Sequence, residues 1–261
     1  MSEKSPFSLD GKVVIQFGGT GLLGRALVGE LAASGATLVV ASRNRASLEA
    51  LAAKERAAGR TVHVEETDIG SENSLHALRD RVVTQHRRVD GIVFNAVSRP
   101  MLTMHDDLAI WRQSMETNAT GFFATVRAFG DVMAAQKSGS IVNISSIYGM
   151  VGSNLSLYEG TDMKVSPDYF FHKGGMLNLT RYLGSHYGPS GVRVNVVSPG
   201  GIYNPDTPQS PTFIERYNKI TMLGRMAQAR EVGGAVIFLL SDASTYITGA
   251  NLPVDGGHTA K

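Results

Sequence analysis

Cysteine is absent from all 261 residues. That absence removes disulfide scaffolds, thiolate nucleophiles and thiolate-ligated metals together, and no metal site is expected. Long apolar runs are missing too. Stretches such as Ala235 to Leu240 fall far short of the roughly 20 residues that a bilayer span needs, and the opening MSEKSPFSLDGK has no apolar signal core. Neither sign of charge dominates: 25 Lys and Arg face 23 Asp and Glu, for a formal charge of +2. Without a block of like charge there is no electrostatic footprint for nucleic acid or an anionic membrane. No repeat or Pro/Ser-rich linker divides the chain. The expectation is one soluble, cytoplasmic domain over 1–261, with a short flexible N-terminal segment at about 1–10. Its partner is a small-molecule substrate, with no nucleic acid and no membrane.

What is present is glycine, 29 residues of it, and an apolar fraction of 43%. Short β-branched runs alternate with longer helical patterns. Val13 to Phe17, Thr37 to Ala41, Thr61 to Glu66, Gly91 to Phe94, Ser140 to Ile144 and Val192 to Val197 read as strands. Helices are predicted at about Leu22 to Ala33, through Ala58, and in the later gaps. Strands without strict alternation are buried on both faces, as in a parallel sheet covered by helices. The rhythm predicts an α/β fold: one doubly wound domain with a parallel sheet of about seven strands. Ligands then bind beyond the carboxyl ends of the strands.

Four segments carry chemistry. GGTGLLG, Gly18 to Gly24, joins the first strand to the first helix. Glycines let a pyrophosphate approach the backbone, and a helix N-terminus offers free N–H groups; alone, such a loop is also an ordinary tight turn. ASRNR, Ala41 to Arg45, closes the second strand without the acid that often accepts from ribose hydroxyls. Arg43 there suits a 2′-phosphate, although an exposed arginine is also common on any surface. Tyr169 and Lys173, in YFFHK, are four apart and share one helix face. A tyrosine hydroxyl has an ordinary pKa of about 10 and is a poor base; a neighbouring ammonium favours its phenolate, and the pair then exchanges a proton with an alcohol or ketone oxygen. NISSIYG, Asn143 to Gly149, places serines at a strand's carboxyl end.

In this order the segments resemble the short-chain dehydrogenase/reductase family, a Rossmann-type fold, over about Gly11 to Gly257. TDIG, FNAVS, METNATG, RVNVVSPGGI and YITGANLPVDGG add to the likeness. The resemblance implies Tyr169 as general acid/base, with Lys173 lowering its pKa and bonding the nicotinamide ribose. Ser146 would hold the substrate oxygen, in preference to Ser145, and Asn118 would order a relay water. It also implies a cofactor site of Gly18, Thr20, Gly21, Leu22, Leu23 and Gly24 in the loop. Ser42, Arg43 and Asn44 follow at the second strand, then Asp68 and Ile69 at the adenine. Asn95, Ala96, Pro199, Gly200 and Ile202 join Tyr169 and Lys173 towards the nicotinamide. NADP(H) is the expected cofactor and NAD(H) the alternative.

Departures are informative. The loop spacing Gly18, Gly21, Gly24 is similar to the extended branch of the superfamily, and Asn204 stands where a threonine is frequent. From Ser146 to Tyr169 the chain runs 169 − 146 = 23 positions, longer than usual. The extra segment, Asn154 to Pro167, carries Tyr158, Glu159, Thr161, Asp162 and Lys164. A polar wall of this kind predicts a hydroxylated substrate such as a sugar or sugar derivative, and YEGT resembles the flagellin-modification-protein-A-like branch. The 3-oxoacyl thioester reductase branch shares most of these motifs and is the alternative enzyme. A dinucleotide-binding regulator without turnover is the alternative outside enzymes. A homotetramer (or dimer) is implied, through helices at about 118–136 and 168–187. Their apolar stripes (Phe122, Val126, Phe129, Met133; Met176, Leu179, Leu183) face either a partner or the sheet.

Overall fold

The computed structural model describes residues 5–260. Seven parallel strands form one sheet in the order β3-β2-β1-β4-β5-β6-β7. The strands are β1 (Val13–Phe17), β2 (Thr37–Ser42), β3 (Val62–Glu66), β4 (Gly91–Phe94), β5 (Gly139–Ile144), β6 (Val192–Pro199) and β7 (Asn251–Val254). The eight α-helices are α1 (Leu22–Ala33), α2 (Arg45–Ala57), α3 (Glu72–His86), α4 (Leu108–Met115), α5 (Gly121–Gln136), α6 (Pro167–Tyr187), α7 (Pro211–Ile220) and α8 (Gly233–Leu240). The doubly wound α/β architecture read from the sequence is therefore the one observed.

Two apolar layers explain the continuous hydrophobic strands. Val13, Ile15 and Phe17 of β1 pack with Leu75 and Leu78 of α3, Val126 and Phe129 of α5, and Met176 and Leu183 of α6. Val14 of the same strand packs on the other face with Leu27 and Leu31 of α1, Leu48 of α2, and Val236 and Leu239 of α8. A strand covered on both faces has no polar side, so period-two alternation is lost. The buried Gln16 is an exception with a partner: its Nε2 donates to Gly24 O at 2.9 Å, tying β1 to α1.

The helical stripes face the sheet. Phe122, Val126, Phe129, Met133, Met176 and Leu183 all lie in the core of the chain itself, with Leu179 packed against it. They are closed to a partner, so of the two readings of the stripes the sheet-facing one holds. Residues 1–4 of the predicted flexible segment lie outside the described residues. From there the chain is anchored: Leu9 is fully buried and its N–H donates to Ser34 O at 2.9 Å. The strand β7 was not read from the pattern. It is four residues long, contains Pro253, and pairs with β6 at the end of the sheet, where a proline is tolerated.

β1 sits between β2 and β4, where the winding reverses. In doubly wound sheets the crevice at this switch point binds the ligand. The strand ends Phe17, Phe94, Ile144 and Pro199 all run towards it.

Candidate active site

The glycine loop fits a phosphate by what it leaves empty. Gly18 has φ +84°, and a Cβ there would lie 2.6 Å from Ala96 N; a Cβ on Gly24 would lie 2.2 Å from Gly18 O. Those two glycines are required by close packing of the chain on itself. Gly21 is different: a Cβ there would meet nothing within 4 Å. It caps α1 in an extended conformation with no side-chain hydrogen bond, and no acid occupies the first turn. The free N–H groups of α1 thus face open space, the arrangement that takes a dinucleotide pyrophosphate. Asn95 braces the loop, its Nδ2 donating to Gly18 O at 2.8 Å.

From this loop a cleft of about 740 Å³ runs to α6 and α7. Gly18, Thr20, Gly21, Leu22, Leu23, Gly24, Asn95, Ala96, Ser146, Tyr169, Lys173, Pro199, Gly200 and Ile202 line it, so most of the predicted residues meet in one place. Ser42, Arg43, Asn44, Asp68, Ile69 and Asn118 are not in its lining. Arg43 is exposed just beyond β2. Asn44 caps α2, accepting from Ser47 N at 3.0 Å, and Asp68 Oδ1 accepts from Gly70 N at 3.0 Å.

Pro167 opens α6 at a position where its missing N–H costs nothing. Two turns of this helix then present the reactive groups. Lys173 is buried and its Nζ donates to Ile144 O at 2.7 Å, 5.7 Å from the centre of the Tyr169 ring. Burial, with Arg99 nearby adding repulsion, pushes the Lys173 ammonium down to about 7. Ser145 and Ser146 divide their work. Ser145 Oγ donates to Lys173 O at 2.9 Å, which locks the strand end onto α6. Ser146 Oγ accepts from Tyr148 N at 3.2 Å, so its own proton is free to donate into the cleft. Gly149 permits this closeness, because a Cβ there would lie 2.7 Å from Lys173 O.

Asn118 lies in a π-turn, Glu116–Thr120, inserted between α4 and α5. Such insertions gather at functional sites. Its Oδ1 accepts from Ser98 N and its Nδ2 donates to Ser98 O, both at 2.8 Å; the Nδ2 also donates to Ser114 Oγ at 3.0 Å. Both amide donors are therefore occupied within the chain itself. Ser114 Oγ in turn donates to the buried carboxylate of Asp168 at 2.5 Å.

The long segment before α6 is docked, not loose. Arg216 of α7 donates to Ser156 O and Glu159 O at 2.9 and 2.6 Å, Tyr158 and Tyr148 join through their hydroxyls, and the Tyr158 and Phe213 rings are 5.1 Å apart. Of its polar residues, Tyr158, Lys164 and Ser166 line the cleft; Glu159, Thr161 and Asp162 do not. The wall there is mixed: Tyr148, Tyr158, Met163, Phe213, Tyr217 and Met226 supply rings and thioethers, and Lys164, Ser166, Asn204 and Gln209 supply polar groups. The segment following β6 is held in place by Gly201 N donating to Tyr217 Oη at 2.5 Å. Sequence reasoning also missed Arg99, whose Cζ lies 4.5 Å from the Tyr169 ring centre. No local pattern marks a residue whose partner is 70 positions away.

The family model described as enoyl-(acyl carrier protein) reductase, a short-chain dehydrogenase/reductase model, matches residues 21–259. The chain belongs to the short-chain dehydrogenase/reductase family. Curated relatives include a cis-4-hydroxycyclohexanecarboxylate dehydrogenase of Sinomonas cyclohexanicum, 34% identical over 95% of this chain and 97% of its own. A galactitol 2-dehydrogenase (L-tagatose-forming) of Cereibacter sphaeroides is 31% identical over 99% of each. Among solved structures, a gluconate 5-dehydrogenase from Burkholderia cenocepacia, in complex with NADP and tartrate, superimposes with a TM-score of 0.88 at 27% identity over 98% of each chain. This family member is accordingly an NAD(P)-dependent oxidoreductase that interconverts a secondary alcohol and a ketone. No helix among the described residues is long and apolar enough to cross a membrane.

Proposed function

We propose that the enzyme oxidises or reduces a hydroxylated, compact cyclic or polyol substrate, prefers NADP(H), and uses Tyr169 as its general acid/base. The observation that carries this reading is the meeting of Tyr169, Lys173 and Ser146 in one cleft that continues to the open N-terminus of α1. A bound nicotinamide dinucleotide would supply the hydride for reduction of the ketone or accept it on oxidation of the alcohol. The chain's own residues do the rest. Ser146 Oγ–H donates to the substrate oxygen, and the Tyr169 hydroxyl gives or takes the proton at that oxygen. Lys173, fixed on Ile144 O, sets its Nζ 5.7 Å from the centre of the Tyr169 ring, where its charged form favours the phenolate. Such preorganised donors contribute most where charge develops on the oxygen. Asn118 acts as a positioning residue, through Ser98.

Arg43 supports the NADP(H) preference. It is exposed at the carboxyl end of β2, makes no hydrogen bond or ion pair among the described residues, and has no acid beside it in ASRNR. The relatives that act on a hydroxycyclohexane acid and on galactitol support the substrate class. A homotetramer is proposed through the outer faces of α5 and α6, where Phe123, Phe171 and Tyr182 are exposed; a monomeric mass by light scattering would sink it.

The test is a cofactor-coupled screen of cyclic alcohols, sugar alcohols, sugar acids and 3-oxoacyl thioesters, run with each cofactor. Turnover of the first three groups with NADP(H) is expected. Rapid reduction of acetoacetyl thioesters with no turnover elsewhere would transfer the chain to the acyl reductase branch. Arg43→Asp should flatten or reverse the preference, and equal affinity of the unaltered protein for both cofactors would refute it.

A further inference from the structure

The charge in the cleft is one-sided. Among its lining residues are Arg99, Lys164 and Lys173, and no aspartate or glutamate. Lys173 is accounted for by Ile144 O. Arg99 and Lys164 are not: among the described residues neither makes a hydrogen bond or ion pair. The Arg99 guanidinium instead lies over the face of the Tyr169 ring, at 4.5 Å. Elsewhere on this surface arginines pair with acids, as Arg25 does with Asp206 and Arg225 with Glu231.

Arg99 is also held in place from behind. It follows Ser98 directly, and both backbone polar groups of Ser98 are bonded by the buried Asn118. The backbone that carries this guanidinium is therefore fixed over the reacting tyrosine, while the side chain reaches into the cleft. Lys164 comes from the docked segment before α6. The phosphates of a dinucleotide do not explain these two cations. The pyrophosphate would face the open end of α1, and a 2′-phosphate would face Arg43 beyond β2. The same cleft is also lined by Tyr148, Tyr158, Met163, Phe213 and Met226, surfaces that suit an apolar ring.

We propose that the substrate of this cleft is an anionic secondary alcohol, or the corresponding keto acid, whose carboxylate or phosphate ester is held by Arg99 and Lys164. Its carbon ring lies against the aromatic and methionine wall. Arginine's planar fork matches either anion with two parallel hydrogen bonds. The anion is anchored over the same tyrosine that serves the carbinol. The group therefore fixes which carbinol of a polyhydroxylated or ring substrate reaches Tyr169 and Ser146. This narrows the substrate class proposed above and rests on that reading of the cleft.

The experiment measures binding and turnover separately. Cyclohexanecarboxylate, cyclohexyl phosphate and cyclohexanecarboxamide are titrated into the NADP(H)-loaded protein by calorimetry. Hydroxycyclohexanecarboxylates and their carboxamides are assayed for oxidation. The carboxylate or the phosphate is expected to bind at least tenfold more tightly than the amide, and which of the two binds identifies the anion. Arg99→Met and Lys164→Met should each reduce that preference, Arg99→Lys should restore part of it, and rising salt should weaken anion binding. Equal binding of acid and amide to the unaltered protein overturns the proposal whether or not anything is turned over. So does a preference that survives both methionine variants, or an Arg99→Met effect confined to cofactor affinity. Preferential anion binding without oxidation of any ring alcohol upholds the anion site and instead removes the ring alcohols from the proposed function.

Discussion

Asn118 holds Ser98 by both of its backbone groups, accepting from the N–H and donating to the C=O at 2.8 Å each. Through this clamp a residue buried in a π-turn positions the loop that lays Arg99 over Tyr169. Asn118→Ala leaves Ser98 and Ser114 without these partners. The buried Ser114 hydroxyl loses a partner at a cost of about 1–3 kcal/mol, and the half-buried backbone groups of Ser98 lose theirs at a smaller one. A fall in Tm together with a fall in kcat/KM is expected. Thermal melts and kinetics check it, and an unaltered kcat/KM would show that the loop does not need the clamp.

Tyr169→Phe removes the hydroxyl and leaves the ring under Arg99. A proton-transfer contribution of about 10²–10⁴-fold should disappear from kcat, while fluorescence titration should find cofactor affinity nearly unchanged. Retention of more than a tenth of the activity would assign the proton to another group.

Gly21→Ala tests the phosphate cradle. The added methyl meets nothing in the chain itself, and the backbone there (φ −71°) is one that alanine adopts. Stability should change by no more than about 1 kcal/mol, the range of a cap or glycine exchange. Cofactor affinity should fall at least tenfold, because the methyl occupies the space before the N-terminus of α1. Calorimetric titration against a melting curve separates the two effects.

His172 predicts a pH dependence of stability. It is buried, 5.3 Å from the Tyr169 ring, and neither ring nitrogen has a hydrogen-bond partner among the described residues. Burial, reinforced by Lys173 and Arg99 and opposed by Asp168, pushes it down from 6.5 to about 3. Above 6.5 this histidine is neutral in both the folded and the unfolded state, and it costs no stability. As pH falls from 6.5 towards 3 the unfolded chain binds a proton that the native chain does not. Stability should then drop by about 1.4 kcal/mol per pH unit, or about 2 kcal/mol at pH 5. His172→Leu should flatten this limb without lowering the Tm at pH 7. Equal slopes for the two proteins would show that His172 is not the group titrating.

The parts of the molecule legible in sequence are local ones. Val13 to Phe17, the glycine loop and Leu22 to Ala33 were readable because buried strands, tight turns and helices imprint short periods. Tyr169 and Lys173 could be paired because four residues along a helix bring side chains to one face. The boundaries moved little: β6 runs two residues past Val197 to Pro199. β7 was lost because four residues with a proline carry almost no pattern. The apolar stripes of α5 and α6 were visible, but periodicity does not say whether a stripe meets a sheet or another chain.

The sequence alone determined the parallel doubly wound sheet, the glycine loop before α1 and the Tyr169–Lys173 pair, since each depends on residues near one another in the chain. Tertiary structure decided what surrounds that pair. Arg99 reaches Tyr169 across 70 positions, Ser114 reaches Asp168 across 54, and Tyr158, Phe213 and Tyr217 close the cleft from separate segments. The strand order and the docking of α7 bring these together. A long-range contact of this kind leaves no period in the sequence, so the charge and shape of the substrate site emerge only when the chain is folded.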